Sequence, residues 1–326
     1  MKIKHSLIID TLGSDKGPEA ILEGAKNILN TYEDISLCIV GDEKVISKYD
    51  LDFARVKIID APDTITNYDN PLKEFYQGKV VSIFKAIEEL SKGGYIGLIT
   101  AGNSGAVLVG SVRYLLNEKR NRPCLSAIIP NTLGSYTCLV DTGASIDVNP
   151  IQLHEFAKLG RDLMKKLYKI DNPKIGLLSN GSEPTKGNKL VKEAHKLLKE
   201  DSSLNFVGNI EGNKTMSGLC DVLVCDGFAG NQVLKNAEGM AVNLITEMVK
   251  YARINKQEAT IMPLVQYLMK TYDFESLGAG IVLGIKYPVV KCRGSSDHKA
   301  IESAASILIN MNEDKNIYFG KDSHRR

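Results

Sequence analysis

Short apolar runs alternate with helical patterns along most of this chain, and this alternation limits the fold more than any other feature of the sequence. Strand-like runs occupy residues 7–9, 37–40, 56–59, 95–99, 137–140, 174–178, 221–225 and 288–292. Between them, apolar residues recur with the 3.6-residue period of a helix, as in Ile21, Ala25 and Ile28 after Pro18. Further helices are predicted over residues 80–90, 105–116, 151–167, 190–198, 233–251 and 300–309. Repeated β–α units are typical of a largely parallel sheet covered by helices, so we predict an α/β fold.

Residues 231–274 break the alternation, because two helical patterns follow each other there without a strand between them. We predict a helical hairpin added to the sheet body, with its break near residues 260–263. Its apolar residues, such as Met240 and Leu268, are expected to cover the core or a dimer partner, because methionines at helical spacing usually fill gaps. An acyl chain or a lipid surface is the alternative. Without a repeat or linker, residues 1–326 are predicted to form a single α/β domain.

The composition excludes several classes of protein. With 41 Lys+Arg and 39 Asp+Glu the formal net charge is +2, whereas nucleic-acid-binding domains usually carry a strongly basic face. The longest uncharged apolar stretch, residues 277–285, is far shorter than the ~20 residues that span a bilayer. The first residues lack the pattern of a secretory signal. Six cysteines without a C-x-x-C pair are interpreted as reduced core thiols, so we expect no zinc site and a cytoplasmic location.

Glycine and small polar residues cluster at four strand-to-helix junctions: residues 100–106, 179–188, 226–231 and 293–297. In a parallel sheet these junctions lie at the carboxyl edge of the strands, where α/β folds bind ligands, so we expect all four to surround one crevice. Free N–H groups at helix starts and glycines that admit a ligand favour an anion. Lys186 and Arg293 add positive charge that suits phosphate or a developing oxyanion. For any one loop, an ordinary turn or helix cap remains the alternative.

Motifs of other ligand-binding and catalytic folds match the sequence less well. Residues 10–15 lack the G-x-G-x-x-G of dinucleotide-binding folds, and residues 208–215 are one residue short of a Walker loop. Gly102–Ala106 is placed like the nucleophile elbow of a serine hydrolase, with Ser104 as nucleophile, but has alanine where glycine is expected. The triad histidine would come from His154, His195, His298 or His324, and none of them has a clear triad context. A serine hydrolase is therefore a minority alternative.

Over its whole length the sequence resembles the phosphate acyltransferase family of bacterial phospholipid synthesis. Seven motifs occur in the family's order: Asp10–Pro18, Thr100–Ala106, Arg122–Pro123, Asp141–Asp147, Thr185–Asn188, Gly208–Gly212 and Asp221–Asn231. They match the family's D-A-M-G-G-D-x-x-P, S-A-G-N-T-G-A, R-P, D-V-G-A-N-x-D and T-K-G-N, among others. One match alone would carry little weight, but seven in order indicate homology.

The resemblance implies that inorganic phosphate attacks the thioester of a long-chain acyl-acyl carrier protein, giving acyl phosphate and the free carrier thiol. It also implies a homodimer, a three-layer α/β/α fold with a mostly parallel, Rossmann-like sheet, and peripheral contact with the membrane. No metal or organic cofactor is expected, and no nucleic-acid partner.

Phosphate is itself a nucleophile, so the site needs only to hold the anion and stabilise the oxyanion. We assign Lys186 as the charge on phosphate or oxyanion, with Asn188 and Asn231 as hydrogen-bonding, orienting residues. The binding residues predicted with them are Asp10, Gly102, Asn103, Ser104, Gly105, Asp226, Gly227, Arg293, Gly294, Ser295 and Ser296. The alternative for Lys186 is an exposed lysine at a helix start.

The sequence departs from the family in places that bear on the site. Where the family has a basic run ending in K-K-D-S-S, this chain has residues 76–82 and retains only Lys79 and Ser82. The family's H-G-S-S is Arg293–Ser296 here, its G-G-A-x-L-L-G is Gly278–Gly284, and its G-E-E is Gly181–Glu183. These changes leave open two alternatives: a short acyl thioester as donor, as in phosphate acetyltransferases or amino-acid reductase subunits, and a non-catalytic paralogue that binds acyl carrier or membrane.

Overall fold

The computed structural model describes residues 3–66, 68–116, 122–272 and 279–313. The strands are β1 (His5–Asp10), β2 (Ile35–Gly41), β3 (Val56–Asp60), β4 (Gly97–Thr100), β5 (Cys124–Pro130), β6 (Tyr136–Val140), β7 (Lys174–Ser179), β8 (Asn205–Glu211), β9 (Val222–Val224), β10 (Gly280–Leu283) and β11 (Val289–Lys291). The helices are α1 (Gly17–Thr31), α2 (Glu43–Ile46), α3 (Pro71–Tyr76), α4 (Ser82–Ser91), α5 (Ser104–Tyr114), α6 (Pro150–Tyr168), α7 (Lys189–Glu200), α8 (Gly227–Ile254), α9 (Glu258–Thr271) and α10 (His298–Glu313).

Contacts divide the chain into two compact units. Unit 1 comprises residues 1–126, 162–171 and 279–326, and unit 2 comprises residues 127–161 and 172–278. The single domain predicted over residues 1–326 stays a prediction.

The sheet of unit 1 has the strand order β3-β2-β1-β4-β11-β10-β5. Strands β3, β2, β1, β4 and β11 run parallel, whereas β10 is antiparallel to both of its neighbours. Successive side chains of a strand point to opposite faces. Ile8 packs with α4 and α5, and its neighbours Leu7 and Ile9 are equally buried. Both faces of the central strands are therefore covered, as a parallel sheet requires.

Unit 2 contains the parallel strands β6, β9, β7 and β8, side by side in that order. Leu139 and Leu223 of this sheet form an apolar cluster with Ile210, and Val233 and Ala237 of α8 pack against it. The first turns of α8 therefore pack against the sheet of this unit.

All eight predicted strands are present, and the predicted helices correspond to α1 and α4–α10. The structure adds strands β5, β8 and β10 and the short helices α2 and α3, which were not predicted from the sequence. Strand β8 carries the register shift of a bulge opposite Ile175–Gly176 of β7, and Gly208 has φ +100°. This irregularity breaks the period of two that a strand prediction uses. Strand β10 has four residues, and the Gly278 that begins its motif lies outside the described residues.

The predicted hairpin exists as α8 and α9, which pack against each other, but its predicted break was wrong. The helices are separated at Asn255–Gln257, where Lys256 has φ +53° and the Gln257 N–H donates to the Ala252 carbonyl. A left-handed residue with such a bond is a common helix C-terminus. Pro263, which suggested the break, lies inside α9.

The hairpin covers the core through the start of α8, where Val233, Leu234, Ala237 and Ala241 pack against the apolar cluster of unit 2. Its packing against a dimer partner stays a prediction. In α8 only Gly227, Gly230 and Ala252 are buried, and in α9 only Val265. The exposed apolar side chains are Phe228, Met240, Val242, Leu244, Tyr251, Ile254, Leu264, Tyr267 and Met269. Within the described ranges, no helix combines the length and apolar character needed to cross a membrane.

Candidate active site

In unit 1, three parallel strands end side by side at one edge of the sheet. Asp10 of β1 is paired with Thr100 of β4, which is paired with Lys291 of β11. The turns that follow carry the predicted residues of the 10–15, 100–106 and 293–297 segments. Two of the four predicted junctions are therefore neighbours, as the rule for the carboxyl edge of parallel strands requires.

Asp10 is fully buried at this edge and has three hydrogen-bond partners. Its carboxylate accepts from the Thr100 hydroxyl at 2.7 Å and from the Leu12 N–H at 3.3 Å, and Ser82 is the third partner. Burial raises the pKa of Asp10 to about 6, because it penalises the charged form more than these bonds favour it. Ser82, retained from the family's K-K-D-S-S segment, thus contacts a predicted site residue. Lys79, also retained, is paired with Glu74 at 2.7 Å.

The glycine turns of unit 1 lie very close to one another. Gly13 has φ +84°, and a Cβ there would lie 2.7 Å from the Cα of Gly102. The Gly102 N–H donates to the Thr100 hydroxyl at 2.9 Å, which joins this turn to Asp10. Only glycine combines the left-handed backbone with this close approach.

The loop after β4 caps a helix, and the loop after β11 hydrogen-bonds to the turn after β1. The Asn103 side chain accepts from the Ala106 N–H at 3.0 Å, so it caps α5, and Ser104 and Gly105 form the first turn. The Gly294 carbonyl accepts from the Asp15 N–H at 2.8 Å and from the Ser14 hydroxyl at 3.1 Å. In the Arg293–Ser296 turn, Ser296 is buried and Ser295 is exposed.

In unit 2, the other two predicted junctions meet in one cavity of about 440 Å³ at the carboxyl ends of β7 and β9. Ser179, Asn180, Gly187 and Asn188 line it from the loop after β7, and Cys225, Asp226 and Ala229 line it from the start of α8. The hydroxyl of Ser179 is buried and, among the described residues, has no hydrogen-bond partner. The cavity therefore combines amide and hydroxyl groups with two helix N-termini.

The start of α8 is held by the loop that follows β6. Asp141 is fully buried, and its carboxylate accepts from the N–H groups of Gly143, Ala144 and Ser145 at 2.6–3.1 Å. Asn231 donates to the Thr142 carbonyl at 3.1 Å. Asn231 thus joins α8 to the loop after β6, and it is not among the residues that line the cavity.

Gly227 is also in close contact with the loop that follows β6. Its N–H donates to the Ser145 carbonyl at 2.8 Å, and a Cβ at this position would lie 2.8 Å from the same oxygen. Asp226 caps α8 by accepting from the Ala229 N–H at 2.8 Å. These two predicted residues therefore form the helix start that borders the cavity.

Lys186 is exposed, and no described carboxylate lies within ion-pair distance of its amine. Its backbone N–H donates to the Glu183 carbonyl at 3.0 Å. Asn188, two residues later, caps α7 by accepting from the Val191 N–H at 2.9 Å. The Lys186 side chain lies beside Gly181, next to the loop that lines the cavity.

A buried polar pair that the sequence analysis missed supports the same loop. Asn209 of β8 donates to the Glu183 carbonyl at 2.9 Å, and its side-chain oxygen lies 2.9 Å from Nδ1 of His195. Both side chains are buried. Asn209 lies in the Gly208–Gly212 motif, and this motif is the only feature of the sequence that draws attention to it. The sequence does not indicate that Asn209 contacts Glu183.

Two of the candidate triad histidines have described side-chain partners within unit 2. His195 is bound to Asn209, and His154 lies 2.7 Å from Asp201 in unit 2. His298 begins α10, and His324 lies outside the described residues. Among the residues that the structure describes, no group of three or more His, Cys, Asp or Glu is placed to hold a metal ion.

Comparisons with known proteins assign the family. A family model described as "Fatty acid synthesis protein" matches residues 5–317. A phosphate acyltransferase of Halothermothrix orenii is 39% identical over 314 residues, which covers 92% of this chain and 93% of the relative. One from Clostridium novyi is 35% identical over 316 residues, with 94% and 95% covered. The chain belongs to the phosphate acyltransferase family. The family inferred from the seven motifs is thereby confirmed, and with it an acyltransferase enzyme.

Solved structures agree on the fold. A phosphotransacetylase from Streptococcus pyogenes has a TM-score of 0.64 at 16% identity and covers 95% of this chain and 94% of its own. Another from Staphylococcus aureus has a TM-score of 0.60 at 14% identity and covers 95% of each chain. At these identities the likeness concerns the fold alone. It confirms the predicted α/β architecture with a mostly parallel sheet.

Proposed function

We propose that the protein transfers an acyl group from an acyl-acyl carrier protein to inorganic phosphate, in phospholipid synthesis. A phosphate oxygen attacks the thioester carbonyl, the carbon–sulfur bond breaks, and the products are acyl phosphate and the carrier thiol. Membership of the phosphate acyltransferase family carries this proposal. No acyl-enzyme forms, since phosphate supplies the nucleophile.

The cavity of unit 2 is the proposed place for this chemistry. Its lining residues include the polar Ser179, Asn180 and Asn188 and residues at the starts of α7 and α8, beside the apolar Leu153, Leu177, Leu178 and Val191. Amides at helix N-termini favour anions because of the helix dipole and the free N–H groups. The buried Ser179 hydroxyl is available to bind an oxygen of the ligand.

Lys186 is the proposed positive charge on phosphate or on the developing oxyanion. Its loop is held by Asn209 through the Glu183 carbonyl, so the backbone near the lysine is fixed while the amine stays unpaired among the described residues. Asn188 and Asn231 are proposed to orient the site through the caps and loops that they hold.

The unit 1 residues Asp10, Gly102–Gly105 and Arg293–Ser296 are proposed as further binding groups. The glycine turns beside Asp10 allow close approach of a ligand to the backbone. That all four junctions surround one crevice stays a prediction.

The test compares Lys186→Ala with Lys189→Ala in a phosphorolysis assay. Both lysines are exposed, but Lys189 belongs to α7 and is paired with Glu193 at 4.0 Å. Loss of Lys186 is expected to lower kcat/KM for phosphate by about a hundredfold, as removal of a group that stabilises transition-state charge does. The control is expected to keep wild-type kinetics. Equal kinetics of the two variants would show that Lys186 does not act in the site.

A series of donors separates the proposal from its alternatives. Long-chain acyl-acyl carrier protein is expected to give the highest kcat/KM, ahead of short acyl donors and coenzyme A thioesters. A preference for short coenzyme A thioesters would favour a phosphate acetyltransferase-like activity. Binding of acyl carrier with no turnover would indicate a non-catalytic paralogue.

We further propose a homodimer that makes peripheral contact with the membrane. The exposed apolar side chains of α8 and α9 support both, because large apolar patches usually mark interaction surfaces. Analytical ultracentrifugation is expected to give twice the mass of one chain. Flotation with vesicles tests the membrane contact, and Ile254→Glu is expected to reduce it. A monomer that does not float would contradict both.

A cytoplasmic location is proposed as well. All six cysteines are free and buried, which fits a reducing compartment. Burial also raises the pKa of the Cys138 and Cys220 thiols to about 12, so they are poor nucleophiles near neutral pH.

A further inference from the structure

Helix α7 presents a row of lysines on its exposed side. Lys192, Lys196 and Lys199 follow one another at spacings of four and three residues, which places them on one face over about 10 Å. All three are exposed, and within the described part of the chain no carboxylate lies within ion-pair distance of their amines. We call these three residues the lysine row.

The lysine row borders the loop assigned to the active site. A cavity of about 500 Å³ is lined by all three lysines together with Pro184, Thr185, His195 and Glu200. Thr185 is adjacent to Lys186, so the row and the proposed phosphate-binding loop share one surface of unit 2. Glu193 and Glu200 are the exposed acids of α7, and Glu193 is paired with Lys189.

We propose that the lysine row docks the acidic surface of the acyl carrier protein. This inference rests on the proposed function, whose donor is a thioester carried by that protein. Unpaired lysines give charge complementarity, which steers an acidic partner and sets its orientation. Docking beside Thr185 brings the carried thioester to the loop that holds Lys186.

The surroundings of the row favour an acidic protein over a membrane. The apolar side of α7, including Ala194 and Leu198, is buried within its unit. The exposed residues of this helix are all charged, so it offers no apolar face to insert between lipids. The row therefore acts through charge alone.

The experiment measures binding of a fluorescently labelled acyl carrier protein by anisotropy. The variant Lys192→Glu/Lys196→Glu is compared with Lys44→Glu/Lys48→Glu, which makes the same change of charge at two exposed lysines of unit 1. Melting temperature checks that both variants are folded. The first variant is expected to bind about tenfold more weakly, because like charges then face each other. The control is expected to keep the wild-type Kd, and added salt should weaken only the binding of proteins with an intact row.

The same proteins are tested in thiol release and in flotation with vesicles that contain phosphatidylglycerol. The α7 variant is expected to show a raised KM for the carrier substrate, an unchanged kcat and unchanged flotation. Equal carrier affinity in the α7 variant and the control would overturn the proposal, as would a loss of flotation with unchanged carrier affinity. Wild-type protein that binds the carrier through the row but releases no thiol with phosphate would refute the proposed function and leave the docking surface standing.

Discussion

Replacement of Asp10 by asparagine is expected to raise the free energy of unfolding near neutral pH and to have much less effect in acid. Asp10 is fully buried, and burial raises its pKa to about 6. In the unfolded chain the pKa of an aspartate is about 4. The folded protein therefore binds a proton at this carboxyl more tightly than the unfolded chain does.

The sign and size of the effect follow from this difference. The stability contributed by protonated Asp10 is fully present below about pH 4 and is lost as the pH rises through about 6. A difference of about two pKa units corresponds to about 3 kcal/mol at 1.36 kcal/mol per unit. Asparagine keeps an oxygen that accepts from the Leu12 N–H, and its amide can donate to the Thr100 hydroxyl, which in the wild type donates to the carboxylate. It carries no charge to desolvate.

Urea unfolding at a series of pH values measures this directly. The free energy of unfolding of Asp10→Asn minus that of the wild type is expected to grow by about 2–3 kcal/mol between about pH 4 and pH 7. The control is Asp50→Asn, because the hydrogen bond and ion pair with Lys26 lower the pKa of Asp50. For this variant the difference in unfolding free energy is expected to change with pH in the opposite direction. A difference that does not change with pH would refute the reasoning about Asp10.

Two further substitutions test the packing around unit 2. Gly230→Ala is expected to destabilise the protein by about 1–3 kcal/mol, since its Cβ would collide with the Asp141 carbonyl, while Gly239→Ala in the same helix meets open space and should be neutral or stabilising. Equal melting temperatures of the two would contradict that contact. Asn209→Ala is expected to cost about 1–3 kcal/mol in urea unfolding, because it leaves buried His195 without its partner, and to raise the KM for phosphate. An unchanged KM would show that Asn209 does not position the loop.

The strands that the sequence predicted are those with continuous apolar runs. Residues buried on both faces, such as Leu7–Ile9, cannot be polar, so their signal is strong. Strand β8 lies at the edge of its sheet, is mostly half-buried or exposed and pairs with β7 across a bulge, and β10 is only four residues long. The position of the hairpin break was misjudged because Pro263 marks helix ends in general but is accommodated inside α9.

The predicted junctions lie at the carboxyl edges of the sheets, because a turn that directly follows a buried parallel strand must lie where that strand ends. What the sequence did not indicate is which distant side chains support them. Ser82 hydrogen-bonds to Asp10, which is distant from it in the sequence, and Asn209 donates to the carbonyl of Glu183. Such long-range hydrogen bonds have no local periodicity, so only the folded structure reveals them.

The most direct test of the central claim follows the carrier thiol and the acyl product together. Wild-type protein is incubated with long-chain acyl-acyl carrier protein with and without inorganic phosphate, and the acyl phosphate is trapped with hydroxylamine. Thiol release is expected only with phosphate, in a one-to-one ratio with acyl phosphate and with no acyl group on the protein by intact mass. Thiol release without phosphate, with free fatty acid as product or with an acyl adduct on the chain, would contradict direct attack by phosphate.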